Sequence, residues 1–180
     1  SYLNRCKTPM GKRKFNYTLL HPLTDSSVLQ REYDFCEHLL CVKNIDEMRN
    51  LLGEIRDLEK LTRKVVMKRI TPSDFYYMVN NLSKVTEIYD IIHCDPIASD
   101  YYYNSIDKEV NNYANLISKI IKEVLKLEEC KNINNLDFDD NFINLGFSKE
   151  HDLTVENWVD SYDKLVGIQL YLNNNVASFE

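Results

Sequence analysis

The chain has 180 residues, of which 44% are apolar, and a formal net charge of −6 at pH 7. This length and composition suit one globular domain with a real core. No apolar run approaches the roughly 20 residues of a membrane helix, and no secretory signal opens the chain. We therefore expect an intracellular protein with no membrane partner. Five scattered cysteines favour reduced thiols over a disulfide framework.

The charge is unevenly distributed along the chain. Residues 1–70 hold 14 Lys and Arg against 9 Asp and Glu, residues 71–130 hold 5 against 10, and residues 131–180 hold 3 against 9. An acidic surface repels nucleic acid, so any phosphate contact is expected from the N-terminal third. Abundant Asn, Ile, Lys and Tyr, with only four Gly and four Pro, suggest an A+T-rich genome and hint at a viral or organellar source.

Start and stop signals predict four helices in the first half of the chain. A capping side chain followed by Pro starts a helix, because Pro is tolerated at the first helical position. Pro shortly after an apolar run ends one. The expected helices run from Thr8-Pro9 to about Leu20, from Thr24 or Asp25 through Val42, from Asn44 through Val65 as one segment, and from Thr71-Pro72 through Ile92.

After a loop around Asp95-Pro96, an a/d stripe of apolar residues indicates a helix that needs a partner along its length. Residues 131–148 lose this period and are interpreted as a loop or a short strand pair, and a last helix follows from Ser148. We predict an all-α helical bundle with a core over 1–130, that connection over 131–148, and the start of a long helix over 149–180. The stripe consists of Ile106, Val110, Tyr113, Ile117, Ile120, Val124 and Leu127.

Arg31 is a charged residue on the apolar stripe of its predicted helix, three residues after Val28. An unpaired buried charge costs several kcal/mol. Asp57 or Glu59 is the expected partner in a buried ion pair. Alternatively, the Arg31 side chain extends to the surface and is solvated.

The usual signs of catalysis and metal binding are missing from the sequence. Cys36, His38 and Cys41 lie on one predicted helix, but their directions differ by about 200° and 140°, so they do not converge on one ion. Gly11-Lys12 lacks the upstream Gly and the following Ser or Thr of a phosphate-binding loop. The sequence therefore predicts no catalytic, cofactor or metal site in this chain.

Two basic clusters are candidates for DNA-phosphate contacts, although a solvated helix face is the commoner reason for such clusters. Aromatic side chains that would stack on bases are sparse near them. The first cluster holds Arg5, Lys7, Lys12, Arg13 and Lys14, and the second holds Lys60, Arg63, Lys64, Lys68 and Arg69.

The beginning of the chain carries a family resemblance. It is similar to the "TPMG-R" helix start and "W-L-x-x-P-L" helix stop that open the core, or lever, domain of MutS-family DNA mismatch-recognition ATPases, except that Asn16-Tyr17-Thr18 stands where the family often has the Trp. The passages Asp57–Leu61 and Thr71–Asp74 resemble the family's "D-L-E-R-L … P-x-D-L". Residues 142–152 resemble the family's entry into a long helix that leads to the DNA clamp. The matching opening residues include Thr8, Met10, Gly11, Arg13, Pro22 and Leu23.

The resemblance implies a non-enzymatic helical lever that relays between an ATPase domain and a DNA clamp. The chain is then expected to be a fragment of a longer DNA-repair protein, up to the start of the clamp, with no cofactor of its own. The implied partners are other domains of the same protein and, through the full-length parent, mismatched double-stranded DNA. The parent is implied to be a dimer that binds ATP and Mg²⁺. The alternative is a self-contained helical nucleic-acid-binding module, favoured by the basic N-terminal third.

Overall fold

The structure, a computed structural model, describes residues 2–105, 109–133 and 141–175. Within these ranges no helix is long and apolar enough to cross a membrane. The all-α prediction is confirmed. The helices are α1 (Pro9–Leu20), α2 (Ser26–Cys41), α3 (Ile45–Glu54), α4 (Leu58–Val66), α5 (Pro72–His93), α6 (Pro96–Ser105), α7 (Val110–Val124), α8 (Leu127–Cys130) and α9 (Lys149–Asn175).

Helix α5 is the central element of the bundle and packs against α3, α4, α6, α7 and α8. Its start is a capping box, in which Thr71 accepts a hydrogen bond from the Asp74 amide and Asp74 accepts one from the Thr71 amide. Lys64 Nζ lies 2.7 Å from the largely buried Asp74 carboxylate, which ties α4 to this start. The buried apolar side chains are Met48, Ile55, Leu61, Val79, Ala98, Ala114, Ile121 and Cys130.

The predicted segment from Asn44 through Val65 is wrong as one helix, because the chain breaks over residues 55–57 into α3 and α4. Two side chains hold this break. Asp57 caps α4 by accepting a hydrogen bond from the Lys60 amide at 3.1 Å, and Asn81 of α5 binds the backbone of Arg56. The Asn44 side chain makes no capping hydrogen bond to α3.

The region around Asp95 also differs from the predicted loop. Asp95 Oδ1 accepts hydrogen bonds from the amides of Ile97 and Ala98 at 2.9 and 3.0 Å, and α6 follows at once. The predicted stripe from 106 to 127 is divided between α7 and α8, and its first member, Ile106, lies outside the described residues.

Helix α7 turns a different face to the core than the a/d pattern predicts. Ala114 and Ile121 are buried, whereas Leu116, Ile117 and Ile120 are 53%, 42% and 51% exposed. An apolar face of α7 therefore remains open beside the one that packs on α5.

A short backbone connection joins the end of α7 to the segment before α9. Leu125 and Ile143 form an antiparallel bridge, flanked by hydrogen bonds from the Lys126 amide to the Phe142 carbonyl and from the Asn144 amide to the Val124 carbonyl, both 2.8 Å. Residues 134–140 of the predicted connection lie outside the described residues. Helix α9 then runs for 27 residues and buries none of them. The predicted boundaries at 130 and 148 stay a prediction.

Candidate functional site

The start of α1 is a compact turn built from the family-motif residues. Thr8 Oγ1 accepts a hydrogen bond from the Gly11 amide at 2.9 Å, and Pro9 occupies the first helical position. A Cβ atom on Gly11 would lie 2.8 Å from Thr8 Oγ1 and 3.3 Å from the Cβ of Cys6. The turn is therefore too tight for a side chain at position 11.

Arg13 joins α1 to the start of α4. Its Nη1 and Nη2 atoms donate to the two carboxylate oxygens of Asp57 at 2.6 and 2.8 Å, and Nη2 also donates to Glu59. Paired parallel hydrogen bonds of this kind are geometrically specific. The Arg13 guanidinium lowers the pKa of Asp57 to about 2, against an ordinary value of 3.8. We call Arg13, Asp57 and Glu59 the arginine node.

The loop that carries Asp57 is itself held from α5. Asn81 Oδ1 accepts a hydrogen bond from the Arg56 amide at 3.0 Å, and Asn81 Nδ2 donates to the Arg56 carbonyl at 3.4 Å. Asn81 is 3% exposed. We call this pair of hydrogen bonds the Asn81 clamp. This clamp was not predicted from the sequence, although Asn81 is a polar residue beside the apolar positions Met78, Leu82 and Val85 of α5, a signal that could have identified it.

The predicted ion pair between Arg31 and Asp57 or Glu59 is corrected by this geometry, since both carboxylates bind Arg13. Arg31 is exposed on α2, which packs on α6, and its guanidinium lies 5.3 Å from the centre of the Tyr101 ring. The solvated alternative therefore describes Arg31, with a cation–π contact added.

The Cys and His side chains of α2 make no common site. His38 Nε2 lies 2.8 Å from Asp95 Oδ2 and so joins α2 to the cap of α6. Cys36 and Cys41 are exposed free thiols. Among the described residues, no group of three or more His, Cys, Asp and Glu side chains is arranged to hold a metal ion.

The basic clusters lose part of their free charge to ion pairs. Arg13 belongs to the arginine node, and Lys64 binds Asp74. Lys12 and Lys14 are exposed, and Lys14 Nζ lies 5.6 Å from the centre of the Tyr17 ring. Of the three predicted phosphate contacts, Lys12 and Lys14 are thus the ones with no carboxylate partner among the described residues. Their contact with DNA stays a prediction.

A further concave surface, which we call the root groove, lies where α9 leaves the bundle. Its volume is about 810 Å³. The wall is mostly apolar, with Lys126 and Glu129 among its polar members. The apolar side chains that line it are Phe142, Ile143, Leu145, Val155, Trp158 and Val159.

The fold and the arginine node define an all-helical domain whose motif residues hold its first helix in place. The profile of the MutS domain III family matches residues 1–169, and the chain belongs to that family.

Curated relatives agree with this assignment. The chain is 30% identical over 154 residues to the DNA mismatch repair protein MutS of Petrotoga mobilis, an alignment that covers 75% of this chain and 18% of that protein. With the MutS of Borrelia turicatae it shares 28% identity over 162 residues, covering 71% of this chain and 18% of the relative. With that of Thermotoga petrophila it shares 31% over 91 residues, covering 50% and 12%.

The chain thus spans less than a fifth of the length of these relatives, at 18% of the first. No solved structure matches it significantly. The relatives are bacterial and give no support to a viral or organellar source.

Proposed function

We propose that this chain is the non-enzymatic lever segment of a MutS-type mismatch repair protein and relays between the ATPase domain and the DNA clamp of the longer protein. The observation that carries the proposal is the contrast between the ends of the fold and its middle. Helices α1, α2 and α9 bury no residue, whereas the segment from α3 to α8 supplies the core. Two weakly buried ends on one packed body suit a part that connects neighbours.

A continuous physical path supports a relay through the body. Displacement of α1 acts on Asp57 through Arg13, and the loop that holds Asp57 is fastened to α5 by Asn81. Helix α5 packs on α7, and the end of α7 is bridged to the segment before α9 through Leu125 and Ile143. Packed interiors resist deformation and transmit displacement.

The partners proposed for the lever follow from its open surfaces and its family. The exposed apolar face of α7, with Leu116, Ile117 and Ile120, suits contact with another domain of the same protein. Mismatched double-stranded DNA, ATP and Mg²⁺ are proposed to bind the full-length protein, which acts as a dimer, and not this segment.

The rival function, a nucleic-acid-binding module, is favoured by the exposed Lys12 and Lys14 on α1. Fluorescence anisotropy against matched, mismatched and branched duplexes at two salt concentrations separates it from the lever. The lever should bind all three equally and weakly, with dissociation constants of roughly 10⁻⁴ to 10⁻⁶ M or higher at physiological salt. Sub-micromolar binding, or a tenfold preference for one DNA, would overturn the lever proposal.

Charge reversal locates whatever weak binding exists. Lys12→Glu with Lys14→Glu should abolish it without loss of helicity, and leaving Arg13 intact preserves the arginine node. The matched control is Lys119→Glu with Lys122→Glu on exposed positions of α7, which changes the net charge equally. Equal loss in both variants would show that net charge, and no basic face of α1, governs the binding.

A further inference from the structure

Helix α2 is attached to the rest of the fold mainly through α6. It packs on α6 and buries no residue of its own, and the non-helical residues 21–25 and 42–44 separate it from α1 and α3. At about 100° per residue, the α2 side chains that contact α6 fall within an arc of about 120°. These side chains are Arg31, Glu32, Phe35 and His38. The helix is therefore held along one face.

Tyr101 of α6 is the centre of this contact. Its ring stacks on Phe35, with the ring centres 3.8 Å apart and the planes 4° apart, and its hydroxyl donates a hydrogen bond to the Glu32 carboxylate. The Arg31 guanidinium lies 5.3 Å from the centre of the same ring. Burial and the Glu32 carboxylate raise the pKa of Tyr101 to about 12, so the hydroxyl stays a donor at neutral pH.

The remaining contact is made by the residue that starts α6. Asp95 Oδ2 lies 2.8 Å from His38 Nε2, while Asp95 Oδ1 accepts hydrogen bonds from the amides of Ile97 and Ala98. One carboxylate therefore serves both the contact with α2 and the cap of α6.

Helix α6 passes this contact on to the last turns of α5. The Tyr102 ring meets the Tyr89 ring edge to face, with centres 6.0 Å apart, and Ser99 Oγ lies 3.4 Å from His93 Nδ1. The Asn81 clamp reaches α5 near the middle of that helix instead. The path through α2 and α6 is thus a second connection to α5, separate from the one through α1.

We propose that α2 is a latch, which releases from α6 as a unit while α3 to α8 stay folded, and that its docking is a second input to α5. The proposal rests on the proposed lever function, in which neighbouring parts of the longer protein act on the helices at its ends. A neighbour that draws on α2 would select the released state, and one that presses on it the docked state.

The composition of the contact favours release as a single step. Elements with few buried apolar contacts open locally at a lower free energy than global unfolding. Polar contacts exchange for contacts with water at a small net cost. Because Arg31, Glu32 and Phe35 all contact the one side chain of Tyr101, they are lost together when that side chain separates from α2.

Native-state hydrogen exchange of the 180-residue chain at low urea concentrations tests the release. The amides of α2 should share one opening free energy that lies below that of α5 and α7. Tyr101→Phe keeps the ring stack but removes the hydroxyl, so it should raise the opening constant of α2 at least about tenfold without changing that of α7. Tyr33→Phe is the matched control, because it removes a hydroxyl from a tyrosine of α2 that is 65% exposed.

Amide chemical shifts of residues 89–93 test the connection to α5. Glu32→Gln weakens the same hydrogen bond from the α2 side, so it should also release the latch. If release acts on α5, both Glu32→Gln and Tyr101→Phe should move these shifts in the same direction, in proportion to the released fraction. Tyr33→Phe should leave them in place.

Three results would overturn the latch. They are exchange of the α2 amides only through global unfolding, equal opening constants in Tyr101→Phe and Tyr33→Phe, and α5 shifts that do not respond to Glu32→Gln. None of these measurements uses DNA. Sub-micromolar DNA binding would therefore overturn the lever proposal without changing them, so the two proposals fail separately.

Discussion

Replacing Asn81 by alanine removes the two hydrogen bonds that fasten the α3–α4 loop to α5. The Asn81 side chain is 3% exposed, so water does not readily replace it. Its partner is the backbone of Arg56, next to Asp57 of the arginine node. The substitution therefore acts on the break between α3 and α4 and on the position of the node together.

The expected cost follows from the geometry of the clamp. The bond from the Arg56 amide to Asn81 Oδ1 is short at 3.0 Å, and the bond from Asn81 Nδ2 to the Arg56 carbonyl is long at 3.4 Å. A neutral hydrogen bond contributes about 1 kcal/mol, and a buried donor left unpaired costs about 1–3 kcal/mol. Alanine returns about 0.5 kcal/mol through its higher helix propensity. We expect Asn81→Ala to lower the free energy of unfolding by about 2 kcal/mol.

Urea denaturation followed by circular dichroism measures this cost. With a slope of about 2 kcal/mol per molar urea, the midpoint should fall by about 1 M. Asn80→Ala is the control, since Asn80 is the exposed neighbour on the same helix and gains only helix propensity. Its midpoint should stay constant or rise slightly. If the two variants had the same midpoint, the clamp would contribute nothing to stability.

Two further predictions concern the motif at the start of α1 and its partner. Gly11→Ala should lower the melting temperature because its Cβ would meet Thr8 Oγ1 at 2.8 Å. Gly167→Ala, with open space around it, should raise helicity and should not lower the melting temperature. Equal changes of melting temperature in the two variants would contradict the tight turn. The lowered pKa of Asp57, about 2, contributes stability that is present above its ordinary value of 3.8 and lost as the pH falls toward 2. Acid unfolding of Arg13→Gln should lack this loss, and an unchanged acid limb would refute the coupling.

The two helix starts marked by Thr-Pro were the part of the fold that the sequence determined best. At Thr8 and Thr71 the cap, the following Pro and the bonded amide all lie within four residues, so the structure confirms the helix starts that the local sequence predicts. The all-helical class and the family resemblance rest on the same short-range patterns. These features depend on neighbours along the chain and not on the packing of distant elements.

The Asn81 clamp and the arginine node were missed because they depend on contacts between distant positions. Asn81 meets Arg56 across 25 residues, and Arg13 meets Asp57 across 44. Helical periodicity identifies which side of a helix is apolar, but it does not identify the neighbour on that side. For this reason the sequence assigned Asp57 or Glu59 to Arg31, whereas in the structure both carboxylates bind Arg13.

The arginine node also explains why two separate sequence motifs belong together. The opening motif contributes Arg13, and the later "DLE" passage contributes Asp57 and Glu59, so neither passage completes the contact alone. A guanidinium presents parallel donors to one carboxylate and a further donor to a second, which the single ammonium of Lys does not reproduce. The node therefore requires arginine at position 13. Its carboxylates lie at the start of α4, beside the Asn81 clamp. The ion pair between Arg13 and these carboxylates, which joins the two motifs, is therefore also the contact through which α1 would move the body of the proposed lever.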